Sequence, residues 1–520
     1  MPDVALQGGT RSTVEVERKY DVERPDAAVP DLTVVPGVAS VTAAEERLLE
    51  AVYYDTADRR LRVAGITLRH RTGGTDAGWH LKLPAGRGRE EVTADGGPGE
   101  VPPALVALVR SRTRSARLEP VATVDTRRVV RLLHDAAGRP LAEVADDVVT
   151  GRRTPAGGTP QDGELSWREW EVELLAGDEE LLQSVQQVLL PAGAAPAASA
   201  SKLARVLPRP DSPQDTAWWA SGKGRRRRPS VGSAVQAHLQ EQVAELVARD
   251  PHTRRDLPDG LHKMRVATRR LRSALTTFRP LLDRERTDPL RDELRWLAGV
   301  LGGARDAEVM HARLRRLVAA EPSDLVPDDV QDRIDAFMGQ RHREAHERVL
   351  VELDGERYLR LLDDLDELAA RPPFLPKAGR AASHVLPRLV RRTWRRLDER
   401  MVAAEQAPRG AAQDELLHDV RKDAKRSRYA AEAVQPSVGP PAARYATAVT
   451  ELQESLGDLQ DGVVTREVLR ELAASGDSRH GFVFGRLHAL EQAKAEAAVT
   501  AWPTARAAVS RRRLRRWFEA

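Results

Sequence analysis

The sequence predicts a multidomain protein in which a mainly β region precedes an all-α region. Before residue 208, short Val/Leu-rich runs alternate with charged residues at period two and are broken by Gly, Pro and Asp. From residue 230 onward, apolar residues recur at a spacing of about 3.6, which is typical of helices. At 520 residues the chain also exceeds what one hydrophobic core usually serves. We therefore expect domains at 1–208 and 230–520.

Composition excludes several classes of site. Cysteine is absent, so the chain has no disulfide, thiolate nucleophile or cysteine-bound zinc. No apolar run approaches the length of a membrane span, and the start lacks a secretory pattern, which predicts a cytoplasmic protein without a membrane partner. Because 82 basic residues face 78 acidic ones, any anion binding must come from local clusters.

The first β-type run extends from Val14 to Tyr20. As a strand, it places Glu15, Glu17 and Lys19 on one face and apolar side chains on the other. An ordinary half-buried strand gives the same pattern with its charges in water. The spacing recurs, however, in two later runs, one acidic (Glu171, Glu173) and one basic (Arg69, Arg71).

A charged sheet face that meets no water would be too costly, because unpaired buried charges outweigh folding stability. A sheet closed into a barrel avoids this cost if its interior is a wet, ligand-filled tunnel. Carboxylates there could hold divalent cations while Arg and Lys hold an anion. These requirements describe a metal-bound polyphosphate, and oxygen ligands without sulfur favour Mg²⁺ or Mn²⁺.

The remaining elements of the β region follow in order. Strands are predicted at 52–55, 66–71, 79–83 and 168–175, a hairpin at 124–133 and 141–149, and helices at 101–115 and 178–190. In the third of these strands Lys82 faces opposite to Leu81 and Leu83.

Together these residues resemble a CYTH domain, of the triphosphate tunnel metalloenzyme family. The resemblance covers about the first two hundred residues and is carried by Glu15, Glu17, Lys19, Tyr54-Asp55-Thr56, Leu68-Arg69-His70-Arg71, Lys82, Arg127, Glu143 with Asp146, Glu171, Glu173 and Lys202. It implies an eight-stranded antiparallel barrel whose tunnel binds triphosphate groups with Mg²⁺ or Mn²⁺.

The resemblance also implies roles for these residues. Glu15, Glu17 and Lys19 would be catalytic; Glu15, Glu17, Glu143, Asp146, Glu171 and Glu173 would serve the metal; and Lys19, Arg69, Arg71, Lys82, Arg127 and Lys202 would grip phosphates. Whether Arg127 or Arg128 faces the tunnel is a choice of register. Arg127 is preferred because it shares its parity with Arg131.

The stretch 209–229 is predicted to be a linker. Its prolines and glycines forbid a continuous helix, and it contains four consecutive arginines, Arg225 to Arg228. It is either a solvated spacer or an extension of an anion-binding surface.

The helical region contains an internal duplication, with repeats at about 230–375 and 376–520. The motif His262-x-x-Arg265 followed by Arg269-Arg270-x-Arg272 returns as His418-x-x-Arg421 followed by Lys425-Arg426-x-Arg428, at an offset of 418 − 262 = 156. A second motif, Leu301-Gly302 to Asp306, returns as Leu456-Gly457 to Asp461 at an offset of 456 − 301 = 155. Two similar helical bundles are predicted.

Each copy places its basic residues in a stripe along one helix. At about 100° per residue, His262, Arg265 and Arg269 cluster beside an apolar face. A run of charge on a helix is usually its solvated face, but stacked like charges repel, and an anion would relieve that repulsion. The recurrence favours the anion, and we expect both stripes to face one shared site.

The duplicated motif resembles the CHAD domain, the conserved histidine α-helical domain. This resemblance covers most of residues 230–520 and implies two pseudo-symmetric four-helix bundles with basic helices around a channel that binds inorganic polyphosphate. His262, Arg265, Arg269, Arg270, Arg272, His418, Arg421, Lys425, Arg426 and Arg428 would contact the polyphosphate. For the two histidines, metal ligation and simple helix packing are the alternatives.

The function expected from both resemblances is a metal-dependent hydrolase of inorganic triphosphate or polyphosphate whose helical domain holds long chains. Alternatives are a noncatalytic polyphosphate-binding or granule-targeting protein, a class IV-type adenylate cyclase and a thiamine triphosphatase. Nucleic acid is disfavoured as a partner, because only 4% of residues are aromatic and no basic–aromatic interleaving supports base stacking.

Overall fold

The computed structural model describes residues 4–6, 10–24, 26–86, 88–154, 163–207 and 230–519. The chain divides into two compact units, Met1–Ala220 and Ser221–Ala520. The predicted linker, 209–229, lies outside the described residues.

The first unit is built around a β-sheet. Its strands are β1 Val4–Leu6, β2 Thr10–Glu15, β3 Glu17–Val22, β4 Ser40–Val41, β5 Glu45–Asp55, β6 Thr67–Thr72, β7 Gly78–Pro84, β8 Arg89–Ala94, β9 Glu119–His134, β10 Pro140–Arg153, β11 Leu165–Leu174 and β12 Ala194–Pro196. Its helices are α1 Arg60–Val63, α2 Pro103–Thr113, α3 Glu179–Leu189 and α4 Lys202–Val206. All described pairings are antiparallel.

The sheet closes on itself through its first long strand. Its order is β2-β8-β7-β6-β5-β9-β10-β11-β3, and β2 and β3 are successive parts of one run interrupted at Val16. This run pairs with β8 through its first half and with β11 through its second half. Counting it as one strand gives the eight-stranded antiparallel barrel. Gly88 allows the closure, since a Cβ there would lie 2.1 Å from the Glu15 carbonyl oxygen.

The apolar cores lie on the outer face of this barrel. Tyr20, Trp170 and Val172 pack with residues of α3, and Trp79, Leu81 and Leu83 pack with residues of α2. The two helices predicted at 101–115 and 178–190 therefore cover the barrel. Because outward positions are apolar, period-two alternation turns the charged residues inward.

The second unit is helical. It comprises α5 Val231–Arg254, α6 Gly260–Thr277, α7 Arg284–Ala319, α8 Val330–Asp354, α9 Glu356–Ala370, α10 Ala382–Gln406, α11 Ala411–Val438, α12 Pro440–Ser455, α13 Gly457–Ala474, α14 Ser478–Val509 and α15 Arg512–Glu519. Among the described residues, no helix combines the length and apolarity needed to span a bilayer.

The duplication is visible in the order of these helices. The basic motifs fall on α6 and α11, each the second long helix of its repeat. One core joins the two repeats, because Leu314 of α7 and Ile334 of α8 pack in the same cluster as Leu469 of α13 and Phe484 of α14. The helices of both repeats are thus parts of one folded unit.

Candidate functional site

The barrel encloses a charged cavity of about 330 Å³. Every strand of the barrel contributes at least one charged side chain to its lining, and helix α4 adds Lys202. The strand residues are Glu15, Glu17, Lys19, Arg47, Arg69, Arg71, Lys82, Arg89, Glu91, Arg128, Glu143, Glu171 and Glu173, with Tyr53 among the uncharged ones. The structure thus brings the carboxylates and cations of these strands together on the inner face of the barrel.

Three glutamates form a row across three neighbouring strands. Glu17 of β3 is directly opposite Glu173 of β11, and Glu173 is directly opposite Glu143 of β10. Like charges in directly opposed positions destabilise a sheet. Burial, together with the charges of the two flanking glutamates, raises the pKa of Glu173 to about 7, although Lys82 opposes the shift. Within the row, Glu173 is therefore short of positive charge, whereas Glu17 pairs with Lys19 at 2.9 Å, and that charge holds the pKa of Glu17 below its usual range despite its burial.

Glu15 extends this acidic region across the closure of the barrel. Its carboxylate accepts a hydrogen bond from Lys82, whose amine also lies 3.6 Å from Glu91 Oε1. Burial raises the pKa of Glu15 to about 8, with a further contribution from the charges of Glu91 and Glu173 against that of Lys82. Like Glu173, Glu15 would gain from an added cation.

A second group of carboxylates is already neutralised. Asp147, Glu169 and Glu171 place ligand atoms within 4.8 Å of one another, which is a geometry that can hold a metal ion. Lys202 Nζ, however, lies 2.8 Å from Asp147 Oδ2 and 2.7 Å from both Glu169 Oε1 and Glu171 Oε1. The ammonium thus occupies the centre of this group.

Arg128 and Lys19 complete the ion pairing of that group. Arg128 donates two hydrogen bonds to Asp147, at 2.8 and 2.7 Å, and one to Glu171, which also accepts from Lys19. Burial disfavours the charge on Glu171, but its three cationic partners hold its pKa well below the usual range. Among the cavity carboxylates, Glu15 and Glu173, whose pKa values are raised, are therefore the ones that would gain most from an added cation.

Helix α4 supplies Lys202 to this end of the cavity. Ser201 caps the helix by accepting a hydrogen bond from the backbone N–H of Ala204. Leu203 and Val206 pack in a cluster with Tyr53 and Trp167, which anchors the helix against the barrel. The amine of Lys202 is consequently fixed among the carboxylates.

Basic residues line the opposite strands. Arg69 and Arg71 come from β6, and Arg69 Nη2 lies 3.7 Å from Glu91 Oε1. Arg71 forms an ion pair with Asp76. Burial and the charges of Arg69 and Arg128 lower the pKa of Arg71 to about 9. A bound anion would relieve this repulsion.

The structure corrects the choice between Arg127 and Arg128. Val124, Thr126 and Arg128 of β9 line the cavity, whereas the Arg127 side chain is 53% exposed and lies near Glu46 on the outside. The preference for Arg127 was wrong. Parity shared with Arg131 says nothing about which face is inward; the buried Asp147, in register with Arg128, decides it.

Asp146 is also misplaced by the prediction. It accepts two hydrogen bonds from Arg168, at 2.8 and 2.7 Å, and is not among the described residues that line the cavity. Glu143 and Asp146 differ by an odd number of residues, so alternation sends them to opposite faces. The second inward carboxylate of this strand, besides Glu143, is Asp147, which is fully buried.

Sequence reasoning missed several lining residues. Glu91 faces inward from β8 and accepts a hydrogen bond from His80 Nδ1 at 3.1 Å. Arg89 and Glu91 lie two residues apart, so the period-two signal was present in the sequence. Tyr53 also lines the cavity; burial opposes its ionisation, but the charge of Arg69 lowers its pKa.

The helical unit has a basic groove of about 490 Å³. Its lining comes from three helices: Arg265, Arg269, Arg272, Ser273 and Thr276 of α6, Arg295, Ala298 and Gly299 of α7, and Lys422, Lys425, Arg426 and Tyr429 of α11. No carboxylate belongs to the lining within the described part of the chain. Both repeats thus contribute cations to one groove.

The second repeated motif buttresses the basic stripes. Arg265 Nη1 lies 2.8 Å from Asp306, and Arg421 Nη2 lies 3.5 Å from Asp461. Arg265 and Arg421 each pass close to a glycine, since a Cβ at Gly302 or Gly457 would lie 3.8 or 3.7 Å from its guanidinium. The duplicated sequence therefore produces duplicated contacts.

Other members of the stripes lie outside the groove lining. Arg270 and Arg428 pair with Glu432, at 3.1 and 3.6 Å. Burial lowers the pKa of His262, with help from Arg305, and burial and Lys422 lower the pKa of His418. These histidines, like Arg421, are not among the described lining residues of this groove.

Comparison with known proteins identifies both parts of the chain. Residues 13–206 match the CYTH domain family and residues 237–470 match the CHAD domain family. Uncharacterised proteins from two strains of Mycobacterium tuberculosis are 36% identical over 507 residues, which is 93% of this chain and 94% of theirs.

Solved structures are also similar in part. PptA from Streptomyces chartreusis is 23% identical with a TM-score of 0.44, over 53% of this chain and 99% of its own. The CHAD domain from the plant Ricinus communis is 24% identical with a TM-score of 0.44, over 56% of this chain and 95% of its own.

Proposed function

Since the chain belongs to the proteins that join a CYTH domain to a CHAD domain, we propose that its barrel hydrolyses inorganic triphosphate and polyphosphate with a divalent cation. The observation that carries this proposal is the row of opposed glutamates, Glu17, Glu173 and Glu143, in the same cavity as Arg69, Arg71 and Lys82. A cavity that has carboxylates to bind a cation and basic side chains to bind an anion suits a polyanionic substrate with bound divalent cations.

Glu15, Glu17, Glu143 and Glu173 would hold Mg²⁺ or Mn²⁺, since all their donors are carboxylate oxygens. When bound, the metal supplies charge neutralisation of phosphate oxygens and acidifies water. Arg69, Arg71 and Lys82 would bind and orient the phosphates. Lys202, fixed among three carboxylates, would keep the far end of the cavity from repelling the substrate. Positioning and electrostatics then carry most of the catalysis.

The test is phosphate release by the full chain from inorganic triphosphate, long-chain polyphosphate, ATP and thiamine triphosphate, each with Mg²⁺ and with Mn²⁺. We expect inorganic triphosphate or polyphosphate to be the preferred substrate. A clear preference for thiamine triphosphate, or cyclic AMP formed from ATP, would replace the proposed substrate. No turnover of any of the four would leave a noncatalytic binding protein.

Metal binding should release protons near neutral pH. Glu173, with a pKa raised to about 7, and Glu15, with a pKa raised to about 8, hold protons that a bound cation displaces. The apparent affinity for Mg²⁺ should therefore rise with pH between 6 and 8, by up to about tenfold per pH unit for each displaced proton. Calorimetry at pH 7.5 in buffers with different ionisation enthalpies gives the proton count, and Glu173→Gln should lower it.

We further propose that the groove between α6 and α11 binds inorganic polyphosphate. Seven cationic side chains, three from α6, one from α7 and three from α11, surround a groove without a described acidic lining residue. Acids that are not part of the lining pair with several of these cations: Asp306 with Arg265, Asp292 with Arg295, Asp419 with Lys422 and Asp423 with Arg426. A linear polyanion would relieve the mutual repulsion of these cations. Such binding would also hold the protein at polyphosphate granules.

Affinity for the groove should depend on chain length and on salt. A longer polyphosphate engages more of the cations and releases more counterions, so its binding should weaken more steeply as salt increases. Calorimetry on residues 230–520, which belong to a compact unit with its own core, measures both effects. Equal affinity for orthophosphate and a long chain would refute polyphosphate binding.

A further inference from the structure

Lys425 differs from its neighbours in the basic groove. Its amine lines the groove with Arg265, Arg269 and Arg426, and its side chain is half-buried. Within the described part of the chain no carboxylate lies within ion-pair distance of it. Lys422, one turn earlier on α11, is 58% exposed and pairs with Asp419 at 3.1 Å. The two lysines lie on the same helix and line the same groove, but they differ in burial and in ion pairing.

This environment changes the chemistry of the amine. Burial, with the charges of Arg421, Arg269 and Arg265 against that of Asp461, lowers the pKa of Lys425 to about 7. Compared with an ordinary lysine, the neutral fraction at pH 7.5 rises by roughly two to three orders of magnitude. A lysine that is desolvated and placed beside other cations is the usual form of a nucleophilic amine.

The arginines around Lys425 select what reaches the amine. Arg269 and Arg272 present guanidinium groups to the same groove, and a guanidinium group binds phosphate through paired hydrogen bonds, whereas Arg426 pairs with Asp423. A small molecule with a phosphate at one end and an electrophilic carbon at the other would be held with its carbon near the amine. Acyl phosphates have this structure.

We propose that Lys425 is a modification site that reacts with acyl phosphates, and that its acylation weakens polyanion binding in the groove. The neutral amine attacks the acyl carbon. The bond between this carbon and the oxygen that bridges it to phosphorus breaks, and the electron pair of that bond leaves with the phosphate. The proton lost by nitrogen goes to the leaving phosphate, so the products are an amide and hydrogen phosphate. The amide can no longer take up the proton that a bound polyanion would favour on Lys425, so the groove loses the positive charge that this residue would supply on binding.

The test is incubation of the full chain with acetyl phosphate, followed by peptide mass spectrometry that compares Lys425 with Lys422. A less basic amine is also a weaker nucleophile, so we expect a rate ratio of about tenfold in favour of Lys425. Arg272→Gln should reduce this ratio for acetyl phosphate. It should leave the ratio for a neutral acetylating ester nearly unchanged, because the ester has no phosphate to hold. Equal acetylation of the two lysines, or a ratio that Arg272→Gln does not change, would overturn the proposal.

The second half of the proposal rests on the proposed polyphosphate binding and is measured separately. The Lys425→Gln variant, which mimics the acylated residue, should bind long polyphosphate several-fold more weakly than Lys422→Gln does. Long polyphosphate should also protect Lys425 from acetyl phosphate. If Lys425 is selectively acetylated but unprotected, the modification site stands and polyphosphate binding in the groove is refuted. If Lys425 is protected by polyphosphate but is no more reactive than Lys422, polyphosphate binding in the groove stands and the modification site is refuted.

Discussion

Glu17→Gln should lower metal-dependent phosphate release by at least about a hundredfold, because losing a metal ligand removes several kcal/mol of charge stabilisation from the transition state. The amide keeps the shape of the side chain and takes one negative charge out of the opposed row. The fold should persist, since Lys19 retains its pairing with Glu171. Initial rates over a titration of Mg²⁺ and Mn²⁺, with thermal unfolding of the same samples, measure both effects.

Asp146→Asn is the matched control for Glu17→Gln. It makes the same change from acid to amide in the same barrel, but its side chain pairs with Arg168 outside the cavity. Its activity should stay within about twofold of the unmodified protein, as expected for a side chain that touches neither metal nor substrate. An unchanged rate in Glu17→Gln at saturating metal would show that the row of glutamates is not the metal site.

Charge reversal on either repeat should severely weaken binding of long polyphosphate to the helical unit. Arg265 and Arg269 line the groove from α6, while Lys425 lines it from α11 beside Arg421. Both double variants, Arg265→Glu with Arg269→Glu and Arg421→Glu with Lys425→Glu, put repulsive charge along the same path. Each should cost about a hundredfold or more in affinity, since like charges brought together cost several kcal/mol.

The control for these variants is Arg391→Glu with Arg395→Glu on α10. These arginines are exposed, have the same spacing of four residues and give the same change in net charge. They are not among the described lining residues of the groove, so only a small, salt-sensitive loss is expected. If each groove variant instead halved the stoichiometry and kept the affinity of the remaining site, the shared groove would be replaced by two separate sites.

Strand alternation was sufficient to predict much of the barrel interior. Period two is dictated by backbone geometry, so Glu15, Glu17 and Lys19, once one was placed inside, had to share that face. Lys82 was placed by the same rule, and the structure puts Leu81 and Leu83 in the outer core. These predictions depend only on short runs, within which parity is not lost.

The long strands β9 and β10 were harder to predict. Each exceeds ten residues, and the pairing between them shifts near Pro140, so parity counted from a distant residue is unreliable. Arg127 was misplaced because its parity with Arg131 does not say which face is inward, and Asp146 because it lies three residues from Glu143 and therefore on the opposite face. Arg128 and Asp147 are identified as inward residues by their contact with each other across β9 and β10. The sequence of either strand alone does not reveal this contact.

The helical stripes show a similar limit. Helical periodicity gives the angle between side chains on one helix, but not which part of a wide stripe meets the neighbouring helix. Arg270 and Arg428 therefore belong to the stripes yet pair with Glu432, whereas Arg295, on a helix without a stripe, lines the groove. The duplication predicts that both repeats share one groove, but the packing of the helices determines which basic residues line it.

The strand interrupted at Val16 both closes the barrel and carries two of the proposed metal ligands. Glu15 lies on the part that pairs with β8, and Glu17 on the part that pairs with β11. A mutation that loosens this seam would therefore pull apart two of the proposed metal ligands before the barrel opens. Natural selection for catalytic activity would then also maintain the closure of the barrel. Mutations here should therefore change stability and activity together more often than mutations at the turn between β9 and β10.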